Sequence, residues 1–306
     1  MLPIFLKTLP FFLLIGLGYV SAATRFFSRE AAVALTKFVF WFALSAMLFN
    51  FTATLEFSDI ANVPFLLCYL SASVIVYAVA TAVGLLRKQG AAVTAIEAQC
   101  AVIGNVGFLG IPMLVGLFGE RAAAPVLMVL SVDLLVFGSL VVAVITGSRG
   151  KLEPAVVLTI AKGLVSNPMV MSITAGLIWS MADLPIPTPM AEFMTILGAA
   201  ATPAALFAIG ASLAGKSAER PSVALWISSL KLVAHPALVA VFALWVFEIE
   251  PFLAAMMIAA AAMPVAGNIY IVAQHYDVAP QRASTAILFS TVIAVGTLTA
   301  VLGWVG

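Results

Sequence analysis

The sequence predicts an all-α polytopic membrane protein whose ten transmembrane helices form two inverted five-helix repeats. Three observations carry this expectation: the composition, the placement of the basic loop residues and an internal repeat. Of 306 residues, 64% are apolar and 9% charged, whereas soluble domains carry about a quarter charged residues. Apolar runs of the roughly 20 residues needed to cross a hydrocarbon core of about 30 Å recur from one end to the other. A net charge of +1 offers no basic field for nucleic acid. The expected partners are membrane lipid and a solute that crosses it.

Polar breaks place the spans near 3–23, 31–52, 63–86, 92–118, 123–146, 166–182, 190–213, 222–247, 252–274 and 284–304. Residues 1–146 then form the first repeat and 166–306 the second. The connection, 147–165, is a cytoplasmic segment whose Lys162 interrupts an apolar run, so 155–165 either extends the sixth span or lies in the interface. Loops following odd-numbered spans hold Arg25, Arg29, Arg87, Lys88, Arg149, Lys151, Lys216, Arg220 and Arg282, and the opposite loops hold only Arg121. The positive-inside rule therefore puts both termini outside. The outer loops carry Glu56, Asp59, Glu120, Asp183, Glu248 and Glu250, which contribute little to orientation.

A shift of 158 residues superposes Pro10 on Pro168, Ile15 on Ile173, Gly18 on Gly176, Ala46 on Ala204 and Leu48-Phe49 on Leu206-Phe207. Farther on, Gly104-Asn105 falls on Gly267-Asn268 at an offset of 163. An odd number of helices per repeat makes the second copy enter the membrane from the opposite side, as the loop charges require independently. Ser21-Ala22-Ala23 resembles a signal-peptide cleavage site, but no basic segment precedes it and the first span has a counterpart in the second repeat. The first span is therefore expected to belong to the mature fold.

The fourth span contains Gly104-Asn105-Val106-Gly107-Phe108-Leu109-Gly110-Ile111-Pro112, and the ninth Met263-Pro264-Val265-Ala266-Gly267-Asn268. Proline removes a donor and glycine loosens the turn, so Pro112 and Pro264 mark helix breaks at membrane depth. Backbone groups freed there must face protein or water, because lipid cannot satisfy them. Paired breaks in the two repeats point to a transport site near the midplane, where half-helix N-termini present positive dipole ends to an anion. Gly104, Asn105, Gly267 and Asn268 are thus the expected substrate-binding residues, each amide offering donors and an acceptor without charge. Interhelical hydrogen bonding is the structural alternative for a membrane asparagine. Gly16 and Gly18 are expected to serve packing.

Asp133 and Lys231 lie about ten and nine residues into their spans, roughly 15 Å deep at about 1.5 Å per residue. A lone charge there costs at least about 2.5 kcal/mol, so the two are expected to pair, directly or through water. His235 follows Lys231 by one helical turn and Glu97 lies nearer the cytoplasmic end of the fourth span. These four are the candidates for ion or proton coupling, against a purely structural role. Lys7 and Lys37 can snorkel to the surface.

Cys68 and Cys100 fall within apolar segments and read as small hydrophobes. Asn50-Phe51-Thr52 matches a glycosylation acceptor formally, too close to the membrane to serve. No nucleotide-binding, metal-binding or nucleophile motif appears in the sequence. An enzyme is not expected, nor any resident cofactor or metal; a sodium ion or proton is the candidate coupling ion.

Gly104-Asn105 through Pro112, Ser166-Asn167-Pro168, Thr202-Pro203 with Leu206-Phe207-Ala208-Ile209-Gly210-Ala211-Ser212-Leu213, Lys231 with Pro236, and Met263-Pro264 through Gln274-His275-Tyr276 together resemble the auxin efflux carrier family. That family lies within the bile-acid and sodium symporter-like superfamily and has bacterial members that carry malonate-like carboxylates. The resemblance covers essentially the whole chain. It implies a scaffold of spans 1, 2, 6 and 7, a transport domain of spans 3–5 and 8–10, breaks that cross in spans 4 and 9, and an elevator-like displacement. Ser45 stands where the family often has proline, which puts the kink of the second span in doubt. The short central connection matches the bacterial type, so auxin is a poor substrate guess.

The expected function is a secondary carrier, a symporter in kind, for small organic anions such as carboxylates in the cell inner membrane. Sodium-coupled uptake of amphipathic acids such as bile acids is the alternative within the class. A ligand sensor that transports nothing is the alternative outside it, and a homodimer is left open.

Overall fold

The computed structural model describes residues 2–55, 62–149, 161–162, 165–214 and 220–305. Glu56, Asp59, Lys151, Lys216 and most of the 147–165 connection lie outside the described residues. Among the described residues every regular element is helical. Seven helices are long and apolar enough to cross a membrane: α1 (Leu2–Ala23), α2 (Arg29–Ala53), α3 (Val63–Leu86), α6 (Glu120–Ser148), α8 (Thr188–Leu213), α9 (Pro221–Val246) and α12 (Pro280–Val305). Five shorter ones are α4 (Ala91–Val102), α5 (Val106–Phe118), α7 (Pro168–Met181), α10 (Pro251–Ala261) and α11 (Asn268–His275), all among the described residues. The predicted fourth span is thus α4 plus α5 and the ninth α10 plus α11. At about 1.5 Å per residue, α7 is only about 21 Å long.

Helix starts follow the local chemistry. Asn62 and Asn167 accept hydrogen bonds from the N–H groups of Phe65 and Met169 at 3.0 and 2.9 Å, each just ahead of a proline in the first turn. Glu250 does the same for Leu253 at 2.9 Å before Pro251. A side-chain acceptor followed by proline satisfies an orphan donor and presets the first helical φ.

The second span keeps an irregularity without the family's proline. A π turn runs through Val39–Ala43, and the Ser45 hydroxyl donates to the Phe40 carbonyl at 3.0 Å. Such turns free a carbonyl that a serine can satisfy.

Helix α1 packs on α8 and α2 on α7, through glycine in both cases. A Cβ on Gly18 would stand 2.0 Å from the carbonyl oxygen of Phe207, and one on Gly176 would stand 2.8 Å from that of Phe49 and 1.9 Å from Thr52 Oγ1. Gly18 and Gly176 are 158 residues apart, as are Phe49 and Phe207, so one kind of approach is made twice with the partners exchanged. Gly16 differs from the packing expectation, since a Cβ there would meet nothing within 4 Å.

The loops gather at two ends. Glu97 pairs with Arg87 and Arg282, Arg282 also donates to Gln89, and Arg149 reaches the carbonyl of Tyr276. Arg87, Gln89, Arg149, Tyr276 and Arg282 come from connections after the third, fifth and ninth predicted spans, and Glu97 from the start of the fourth. At the other end Ser180 donates to the Leu55 carbonyl, and the Arg121 guanidinium lies 4.0 Å from the Phe252 ring centroid.

Candidate functional site

The sequence breaks both short-helix pairs, and the fold lays the two breaks across each other. Helix α4 ends at Val102 and α5 starts at Val106, so Ile103, Gly104 and Asn105 are unwound. Helix α10 ends at Ala261 and α11 starts at Asn268. The two segments run antiparallel with a bridge between Gly104 and Val265. Asn105 N–H donates to the Pro264 carbonyl at 2.7 Å, and Ala266 N–H to the Ile103 carbonyl at 3.1 Å. Backbone groups that a continuous helix would pair internally are paired here by the other break, which makes unwinding tolerable at this depth.

Asn105 caps α5 and Asn268 opens α11, so both predicted amides stand at half-helix N-termini. Asn105 is 6% exposed. Asn268 is half-buried, and its Oδ1 is buried without a hydrogen-bond partner. Such an oxygen is costly to leave unpaired and is available to a donor that the folded chain does not supply. The walls are apolar: Phe40 of α2 stacks on Phe108 of α5 with centroids 6.1 Å apart, and Met169 of α7 packs against Gly107.

Pro264 lies in the crossing, whereas Pro112 does not. The chain unwinds ahead of Val106, and Pro112 sits inside α5 just after a π turn over Val106–Gly110, which absorbs its missing N–H. The glycines also differ. Gly104 is enclosed, with Met263 Cβ, the Ala260 carbonyl and Lys231 Nζ 3.2–3.3 Å from where a Cβ would stand, while Gly267 is exposed and open.

Asp133, Lys231 and His235 are fully buried beside the crossing. Asp133 and Lys231 make no direct ion pair, since the ion pairs among the described residues are those of Glu97. The Asp133 carboxylate faces the Gly104 N–H and takes a hydrogen bond from the Tyr69 hydroxyl at 2.9 Å. The Lys231 ammonium donates to the Ala261 carbonyl and lies 3.2 Å from His235 Nδ1. His235 Nε2 is 2.9 Å from Ser73 Oγ. Glu97 stands apart, seven residues before Gly104 on α4, with both carboxylate oxygens on arginines.

Sequence reasoning missed Tyr69, Ser73 and Ser290. Tyr69 and Ser73 sit one turn apart in an apolar helix, Tyr69 donating to Asp133 and Ser73 meeting His235. Two polar groups on one face of an apolar span were the available signal. Ser290 accepts from the Val265 N–H at 3.0 Å. The second break therefore leans on the helix that follows it, Val265 on Ser290 of α12. Lys231 and Asp133 both lie within π turns, a distortion frequent at functional sites.

A family model described as "Membrane transport protein" matches residues 3–302. A protein of Rhizobium meliloti (strain 1021) named "Putative malonate transporter" is 31% identical over 298 residues, which cover 96% of this chain and 93% of that protein. The chain belongs to this membrane transport family, the auxin efflux carriers that its motifs resemble, and is a membrane transporter rather than an enzyme.

Proposed function

We propose that this protein is a secondary carrier of small organic anions, carboxylates above all, which it binds where the two breaks cross. The observation that carries the reading is the meeting of two half-helix N-termini, each with an asparagine, through the hydrogen bonds between Asn105 and Pro264 and between Ala266 and Ile103. Positive dipole ends and uncharged amides suit a carboxylate, and they attract it without the desolvation cost of a buried cation. The name of the Rhizobium meliloti relative supports malonate as the first substrate to try.

In this reading the ten helical rods form two inverted five-helix repeats, residues 1–146 and 166–306, with both termini outside the inner membrane. The paired approaches of Gly18 to Phe207 and Gly176 to Phe49 support the repeat. Loops sorted by odd and even span number meet at opposite ends, which supports the topology. Helices α1, α2, α7 and α8 act as the scaffold, against which the others move as an elevator.

Counterflow of labelled malonate and related dicarboxylates in proteoliposomes tests the carrier. Specific binding without exchange would sink it in favour of a sensor. A C-terminal tag accessible only from the cytoplasm would overturn the topology.

A further inference from the structure

Helix α11 follows the second break and leaves one face uncovered. It packs on α12 and α4, and its Ile269 and Ala273 are buried. Gly267, Ile271, Gln274 and His275 are exposed, Ile271 to 59%. Steps of three and four residues put them on one face of a helix. The strip starts beside Asn268, whose Oδ1 has no hydrogen-bond partner, and ends at the last turn of α11, about 10 Å farther on. Helix α5, in the matching place after the first break, is covered instead. Gly107 faces Met169, Phe108 stacks on Phe40 and Gly116 faces Phe11. The crossing is thus closed along α5 and open along α11. Lipid would leave the Gln274 amide unsatisfied, so the strip suits water.

Arg149 stands at the far end of the strip. It donates to the Tyr276 carbonyl just past α11, is exposed, and belongs to none of the ion pairs among the described residues. A guanidinium has five N–H donors, so that bond leaves others for an anion. Arg87, Lys88 and Arg282 come to the same end, against Glu97 and Asp277, which makes the mouth of the strip positive. Positive charge at the mouth of a low-dielectric cleft raises the local concentration of an anion.

We propose that the exposed face of α11 is the aqueous approach to the crossing, and that Arg149 at its mouth draws in a small carboxylate anion for Asn268 to receive. The inference rests on the carrier reading above and adds the route and the charge by which substrate arrives. Asn105 and Asn268 carry no charge and attract only at short range. Arg149 supplies the long-range attraction, and its exposure keeps the contact weak enough to release the anion inward.

Thiol modification in lipid nanodiscs, where both ends of the protein meet solvent, tests the approach without transport. Ile271→Cys and Gln274→Cys are treated with a sulfonate-bearing and a trimethylammonium-bearing methanethiosulfonate, with Val233→Cys on the exposed apolar face of α9 as the control. The native Cys68 and Cys100 are buried. Both α11 thiols should react and the Val233→Cys thiol should not. Relative to free cysteine, Gln274→Cys should favour the anionic reagent by up to about fivefold at low salt, the effect of one unit charge a few ångströms away in water. Adding Arg149→Gln should remove the preference, adding Arg149→Lys should keep it, and high salt should erase it. An unreactive Ile271→Cys, or a preference unchanged by Arg149→Gln as a mere cap of α11 would give, overturns the proposal. In malonate counterflow Arg149→Gln should raise KM by a similar factor at low salt with kcat kept, and an unchanged KM refutes the role of Arg149. If the wild type exchanges no malonate, the carrier reading fails, and the thiol results still judge the approach.

Discussion

The N–H of Asn105 donates to the carbonyl of Pro264 at 2.7 Å, so a residue of the first break is held by a residue of the second, 159 positions away. Proline is the partner that makes this contact necessary. It interrupts α10–α11 and leaves carbonyls that no helical donor reaches. The bond fixes Asn105 as the cap of α5 while its side chain stays uncommitted to any hydrogen bond between described side chains.

Asn105→Ala and Asn268→Ala should each abolish malonate exchange and leave the melting temperature close to that of the wild type. The Asn268 Oδ1 has no partner to lose, and the crossing bonds are backbone bonds. Counterflow and thermal unfolding of the same preparations check this. Unchanged transport in both variants would refute the binding site.

Gly18→Ala and Gly176→Ala should destabilise the protein by about 1–3 kcal/mol or more, because the added methyl group meets helix backbone that cannot retreat without separating α1 from α8 or α2 from α7. Gly16→Ala should be neutral or slightly stabilising, since its methyl enters open space and alanine favours a helix by about 1 kcal/mol. Thermal unfolding in detergent distinguishes the three.

Tyr69→Phe removes the hydrogen bond to Asp133 and leaves both carboxylate oxygens without a side-chain donor, a loss of about 1–3 kcal/mol. Adding Asp133→Asn should cost less than the sum of the two single changes, because the pair shares one interaction. A double-mutant cycle measured by chemical or thermal unfolding tests the coupling, and strict additivity would disprove it.

Glu97→Gln breaks the pairs with Arg87 and Arg282. Glu97 is nearly buried, but its partners are 30% and 11% exposed, so solvent screening reduces the loss to about 2 kcal/mol. The loss should appear as a lower melting temperature with malonate affinity retained, since Glu97 lies away from the crossing. A Glu97→Gln protein that fails to bind malonate at full stability would place this residue in the transport cycle.

Much of the candidate site was legible because helix-breaking residues announce themselves. Gly104-Asn105 and Pro264 through Asn268 interrupt spans that are otherwise apolar, and breaks in corresponding places have few structural uses in lipid. Pro112 misled for a local reason, because a π turn ahead of it absorbs the missing donor within α5. Asp133 and Lys231 were recognisable as buried charges from their depth in the spans. Their actual arrangement, Asp133 on Tyr69 and Lys231 on His235 and so on Ser73, depends on which face α3 turns inward.

The sequence by itself determined the all-helical class, the membrane environment, the position of both breaks and the identity of the buried charges. Each of these follows from local physics: the length of an apolar run, the missing donor of a proline and the cost of a charge in hydrocarbon. Only the tertiary structure decided that the breaks pair with each other, that Gly18 and Gly176 rather than Gly16 admit a neighbouring helix, and that Glu97 is bound up with arginines at one end of the molecule. Those outcomes depend on contacts between residues far apart in the chain. Rotation of a helix about its axis changes such contacts without changing its hydropathy, so they are set when the helices pack.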